Sequence, residues 1–172
     1  MKRLEGFVNH HSHLWNLSPI EAIELQKKLA AQIVIEDQFA PIQKIAGADL
    51  ALNLDKNEGI ASHMGLILDI PSIGCAKSVL CGHYQEPEIQ RGSFSPLIYR
   101  GKEIGAALRT KEKVKPMFIS PGHRISLKTS LRIVLECNSG YRLPKPTREA
   151  DRYVANLKKD PVEINELLLP LF

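Results

Sequence analysis

The chain has 172 residues, 44% apolar and 24% charged, with a formal net charge of +4. That length suits one domain with a real core, and that composition is ordinary for a globular protein rather than a disordered or fibrous one. The mild positive charge is compatible with a nucleic-acid partner but does not select one, and no run of about 18 apolar residues suggests a membrane span.

Residues 1–17 read as a loose tail; the basic start has no apolar stretch of signal-peptide length, so a cytoplasmic protein is expected. "SPIE" (18–21) reads as a helix start, with Ser18 as N-cap, Pro19 at the first helical position and Glu21 able to close a capping box. Ala22, Leu25, Leu29 and Ile33 then form an apolar stripe to about residue 36. "KIAGADLALN" (44–53) reads as a short apolar strand with Asp49 in its middle, followed by the polar turn "LDKNEG" (54–59). A lone carboxylate on a buried strand is costly unless something positive meets it.

Ile60, Met64, Ile67 and Leu68 have helical spacing, closed by Asp69 and Pro71. "SIGCA" (72–76) reads as a buried strand. "PLIY" (96–99), the turn "RGKE" (100–103) and "IGAALRT" (104–110) read as a hairpin. "MFIS" (117–120) reads as a strand stopped by Pro121 and Gly122. Ser126 caps an expected helix with Leu127, Leu131, Val134 and Leu135 on one face, and Thr147 caps a last helix to about 159. Residues 160–172 read as a tail, so the expected domain is 18–159. Strands and helices mixed over one core argue for an α/β or α+β class. Three cysteines without a CxxC pair favour buried thiols over a disulfide framework or a zinc site.

Three polar residues stand at or beside strand ends or centres: Asp49, Lys77 after "SIGCA", and His123 after "MFISPG". A metal-holding Asp, a Lys for a phosphate oxygen and a His for proton or water handling would together suit phosphodiester chemistry. Each has a plainer alternative. Asp49 could be hydrogen-bonded to backbone or a nearby Lys, Lys77 could be a solvated strand end, and His123 could be a turn residue capping a helix. The His10, His11 and His13 group reads as a solvated segment, and "KEKVK" (111–115) as either a phosphate contact or a solvated loop.

"IAGADLAL" (45–52), "GIASHMGLILDIPSIGCAKSVLCG" (59–82), "FISPGHRISLKTSL" (118–131) and "GYRLPKPTREAD" (140–151) resemble the endonuclease V family, the deoxyinosine 3′-endonucleases of DNA repair. The resemblance covers most of 18–159. It implies a ribonuclease H-like α/β fold with a mixed sheet flanked by helices. It also implies a Mg²⁺-dependent hydrolase, with Mn²⁺ as a substitute, that cuts the second phosphodiester bond 3′ to deoxyinosine. DNA is the implied partner and RNA the other candidate. By this likeness Asp49 is a metal ligand, Lys77 and His123 are catalytic, and Ile60 and Leu80 wall the pocket for the flipped base. Arg142 and Arg148 are expected near the nucleic-acid backbone, within a segment that also reads as structural. The family pattern has several tens of residues between the Asp49 strand and the "GIASH" helix, carrying two further metal carboxylates and a strand-opening wedge. Here "LNLDKNEG" runs straight into "IASHMG", so the inner strands are expected to be truncated between Gly59 and Ile60. Two outcomes follow: an active endonuclease, or a catalytically defective member that binds nucleic acid or has lost function. The family implies a monomer; exposed apolar surface in the shortened chain would favour oligomers.

Overall fold

The computed structural model describes residues 18–48 and 60–157. Their order is helix α1 (Pro19–Ala30), helix α2 (Ile60–Leu68), strands β1 (Ser72–Ala76), β2 (Phe94–Tyr99), β3 (Lys102–Leu108) and β4 (Met117–His123), then helices α3 (Leu127–Glu136) and α4 (Lys145–Leu157). The strands form one sheet in the order β1-β4-β3-β2, antiparallel at every described pairing. Helices flank it, giving an α/β architecture.

Local chemistry sets most of these elements. The capping box at α1 forms as expected: the Glu21 amide donates to Ser18 Oγ and the Ser18 amide to Glu21 Oε2, at 3.4 and 2.9 Å. The helix ends at Ala30, earlier than its apolar stripe suggests. Ile33, Val34 and Ile35 are β-branched and favour extended backbone, and the Val34 amide is drawn into a tertiary hydrogen bond with His123. Helix α2 closes with paired bonds from the Asp69 amide to Leu66 O (3.3 Å) and from the Ile70 amide to Gly65 O (3.0 Å). Asp69 takes the left-handed conformation (φ 51°) that this terminus requires, and Pro71 prevents continuation. The hairpin turn is Arg100–Gly101, both at positive φ, a pattern whose twist matches the flanking strands.

The core lies where the sheet meets α3. Ala106 and Leu108 of β3, Met117 and Ile119 of β4, and Leu131 and Val134 of α3 form one buried cluster, with Ile73 and Cys75 of β1 packed against it. Ser126 caps α3, accepting from the Thr129 amide at 3.2 Å, while Asp37 accepts from the Ser126 amide (2.7 Å) and Thr129 Oγ1 (2.5 Å). All three cysteines are free. Burial pushes the Cys75 thiol up to about 12, so it behaves as a small apolar residue.

Three expectations are corrected. First, the described part of the 44–53 segment, residues 44–48, is exposed and is not a strand. It runs beside the start of α4, with Gly47 close against the Pro146 and Thr147 backbone, and no sheet strand pairs with it. Second, β4 continues through Pro121 and Gly122 to His123. The register against β1 slips here: Ile73 faces Pro121 and Ser72 faces His123, leaving Gly122 as the extra residue of a bulge. Third, α4 starts at Lys145 rather than Thr147, because Pro146 fits a first helical turn, where an amide donor is not needed.

Candidate functional site

The bulge in β4 aims His123. Its amide donates to Ser72 Oγ at 3.0 Å, and Gly65 of α2 packs so close that a β-carbon there would collide with the His123 side chain. The imidazole is 5% exposed. Its Nδ1 accepts from the Val34 amide at 3.3 Å, so the neutral ring carries its proton on Nε2, which faces Asp69 Oδ1 at 3.5 Å. Arg124 completes the group, with its guanidinium 3.0 Å from the same Asp69 oxygen. Both ring nitrogens are therefore engaged within the fold. The Asp69 partnership was hidden in the sequence, because it depends on the helix closure that turns this residue back toward the strand.

Lys77 stands elsewhere. It follows β1 at the end opposite Ser72, and its ammonium lies 3.2 Å from Asp151 Oδ2 of α4, with both side chains about half exposed. Ser72 sits beside His123 in the β1–β4 ladder, and Lys77 is five residues further along. At roughly 3.3 Å per strand residue this separates Lys77 from His123 by about 16 Å. Lys77 follows one end of β1 while His123, on β4, stands beside the other end, so the structure does not bring these two side chains together. Asp49 lies outside the described residues, as do His10, His11, His13 and Trp15.

The remaining site residues divide between anchoring and surface. Arg142 donates to the carbonyls of Lys77 (2.5 Å), Pro116 (2.8 Å) and Lys115 (2.9 Å), and its own carbonyl accepts from Thr110 Oγ1 at 2.6 Å. All three of those donor contacts are to main chain. The guanidinium thus ties the end of β1 to the approach of β4, which is the structural role the segment suggested. Arg148 lies over the Tyr141 ring, 4.0 Å from its centroid, and reaches Ser139 and Glu149. Leu80 is exposed in the loop after β1, a position open to a ligand. Ile60 opens α2, and its side chain lies outside the described set. Tyr84 is half-buried and packs edge-to-face on Phe118, with ring centroids 5.0 Å apart.

A buried cation that the sequence reading did not single out sits under the β2 side. Arg109 is 5% exposed and donates to the carbonyls of Glu88 (3.1 Å), Pro87 (2.7 Å) and Val114, and to the Glu86 carboxylate (2.7 Å). Its place at the end of the apolar "GAAL" run was the available signal. Between residues 45–47 and α4 lies a hollow of about 730 Å³, lined by Ile45, Gly47, Lys145, Pro146, Glu149 and Tyr153 among others. Neither Lys77 nor His123 lines it.

Among the described residues no group of three His, Cys, Asp or Glu side chains could hold a metal ion. The carboxylate nearest His123, Asp69, is already engaged by Arg124 and by the imidazole itself. A hexacoordinate Mg²⁺ needs several oxygen ligands in near-octahedral array. The described residues alone do not fit it. No helix among them is long and apolar enough to cross a membrane.

The sequence model of the endonuclease V family matches residues 55–152, more than half of the chain. The chain belongs to the endonuclease V family. Its relatives are nucleases, hydrolases by reaction class. The Endonuclease V of Dictyoglomus turgidum is 50% identical over 105 residues, 61% of this chain and 46% of that protein. The Endonuclease V of a Nostoc species is 33% identical over 217 residues, taking in 86% of this chain and 98% of that protein. The crystal structure of the Endonuclease V from Streptomyces avermitilis superposes with a TM-score of 0.57 at 40% identity, covering 59% of this chain and 45% of that one. The fold is thus the ribonuclease H-like α/β fold of this family. Against the Dictyoglomus and Streptomyces proteins the endonuclease V match spans just under half of their length. The Nostoc alignment runs over 217 positions but takes in only 86% of this 172-residue chain, about 148 residues, so about 69 positions have no counterpart here.

Proposed function

We propose that this chain is a shortened form of a Mg²⁺-dependent deoxyinosine endonuclease. In this reading the parent activity hydrolyses the second phosphodiester bond 3′ to deoxyinosine in DNA, and the shortened chain binds nucleic acid weakly and cleaves it little or not at all. The observation that carries the second half is the separation of Lys77 from His123, with Lys77 paired to Asp151 and both nitrogens of His123 engaged. The excess length of the Nostoc alignment supports a gap inside the chain, and this reading puts it between the Asp49 segment and the "GIASH" helix. Mg²⁺, or Mn²⁺ in its place, would supply the charge that stabilises phosphodiester hydrolysis. Asp49 would be one ligand, and the carboxylates that complete such a site would come from the absent stretch.

Recognition of a deaminated base requires that base to leave the helical stack. Ile60 and Leu80 would meet it through apolar contact. Weak binding would rest on Lys77, Arg148 and the Lys-rich loop 111–115, and would fall steeply with salt, as contacts to phosphate do.

The test is a nicking assay on an inosine-containing duplex with Mg²⁺ or Mn²⁺, run beside Asp49→Ala. The expected result is no cleavage above the Asp49→Ala background, with salt-sensitive retention of the DNA. Nicking at the second bond 3′ to inosine that disappears in Asp49→Ala would show that the chain is an active endonuclease, and other acids, Glu58 or Asp69 first, would have to complete the site.

A further inference from the structure

We propose that Tyr141 is a stacking platform for an unpaired base of a DNA strand whose phosphates follow the lysine-rich loop 111–115. The proposal deepens the reading above and rests on it for the choice of DNA. The ring is presented from a turn held in place on several sides. Asn138 brackets it: its Oδ1 accepts from the Gly140 amide at 3.0 Å, and its Nδ2 donates to the Tyr141 carbonyl. Gly140, at φ 82°, takes the left-handed step of this turn. Arg148 of α4 lies over one face of the ring, 4.0 Å from its centroid, and donates to Ser139 Oγ of the same turn at 3.4 Å. Tyr141 is nevertheless 57% exposed. With one face under the guanidinium, that exposure belongs to the opposite face and the ring edge. A ring fixed from behind and open in front is what base stacking uses, because every base has a π-face and little further ordering is needed.

Positive charge is fastened beside this ring. Arg142, the next residue, holds both ends of the loop: its carbonyl accepts from Thr110 Oγ1 at 2.6 Å, and its guanidinium donates to the Lys115 and Pro116 carbonyls at 2.9 and 2.8 Å. Lys111, Lys113 and Lys115 are exposed, with Glu112 as the single acid among them. None of the three lysines is in an ion pair among the described residues. Arg142 adds to the field, because its donors meet neutral carbonyls rather than a carboxylate. A strand drawn to this surplus can lay a base on Tyr141 only where that base is free of a duplex stack. An unpaired strand therefore fits both features, while a closed duplex offers phosphates alone.

The test is fluorescence anisotropy with two labelled single strands of equal length, one of thymidines and one of abasic sites, in the absence of metal and inosine. The wild-type chain should bind the thymidine strand about tenfold more tightly than the abasic strand. Tyr141→Ala should erase that difference and Tyr141→Phe should keep it, with affinity for the abasic strand unchanged in both. Lys115→Ser should weaken binding to the two strands alike and lower the slope of log affinity against log salt by about 0.7. Equal affinity of the wild-type chain for the two strands would overturn the proposal, as would binding to neither. So would a Tyr141→Ala variant that still tells them apart. Since neither inosine nor metal is present, each of these outcomes leaves the endonuclease reading to its own duplex assay.

Discussion

The two outer strands of the sheet are finished differently. β2 carries Pro96, and its edge is met by the segment after Gly82: His83 and Ile98 exchange two backbone hydrogen bonds at 2.9 Å, and Ser95 Oγ donates to the Gln85 carbonyl. Arg109 then pins residues 86–88 beneath it. β1 has no such cover among the described residues, although it carries neither a charge nor a proline. The contrast teaches that an edge bare of charge and proline is suited to sitting inside a sheet. Among the described residues the closed side is covered by chain close to it in sequence, and the open side is not.

Breaking the closed side should have the largest effect. Arg109→Met should remove the donor that four acceptors share and leave the carbonyls of Pro87, Glu88 and Val114 unpaired, a loss of roughly 3 kcal/mol in a denaturant titration. An unchanged midpoint would mean that water replaces the guanidinium without penalty and that the β2 side is not held by it. Arg142 ties down the end of the open side, and Arg142→Lys should cost about 1–2 kcal/mol, because one ammonium cannot serve three carbonyls as a planar fork does. If Arg142→Lys keeps full stability but loses DNA retention, the residue contacts phosphate rather than main chain.

What the sequence made legible was local. The Ser18 capping box, the hairpin around Arg100–Gly101, the "SIGCA" strand and the Ser126 cap each follow from neighbours in the chain, and each is present. What stayed hidden required partners distant in sequence. The passage of β4 through Pro121 depends on a bulge opposite Ser72, and the His123–Asp69 contact depends on how α2 ends. The guanidinium of Arg142 finds carbonyls from residues 77, 115 and 116. The expected strand at 44–53 is not one in its described part, residues 44–48, whose place is set by the distant start of α4 beside Gly47. Lys77 and His123 could be picked out as strand-end residues, but their distance apart needed the antiparallel register.

Two smaller effects sharpen the picture of the frame that both sides share. Ser126→Ala should cost about 1 kcal/mol by leaving an α3 amide without its acceptor; a thermal melt that does not move would show that Asp37 caps the helix alone. Asp37 itself is held below the usual carboxylate range by its hydrogen bonds to the Thr129 hydroxyl and the Ser126 amide. A carboxyl with a lowered folded pKa contributes stability above its ordinary value near about 3.9, and loses it as pH falls through the folded value. Asp37→Asn should therefore melt slightly below the wild type at neutral pH, by a few tenths of a kcal/mol after solvent screening. The gap should close in acid below that lowered value. A gap that persists there would assign the effect to packing.

The most direct measurement is cleavage of an inosine-containing duplex by two proteins: the chain as it stands, and the same chain with the corresponding stretch of the Nostoc relative inserted between Gly59 and Ile60. Single-turnover rates with Mg²⁺ should show nicking by the insertion variant and none by the original chain, with Asp49→Ala silencing the variant. If the original chain nicks as fast as the insertion variant, the site is complete without the inserted strands and the shortened chain is an enzyme in its own right.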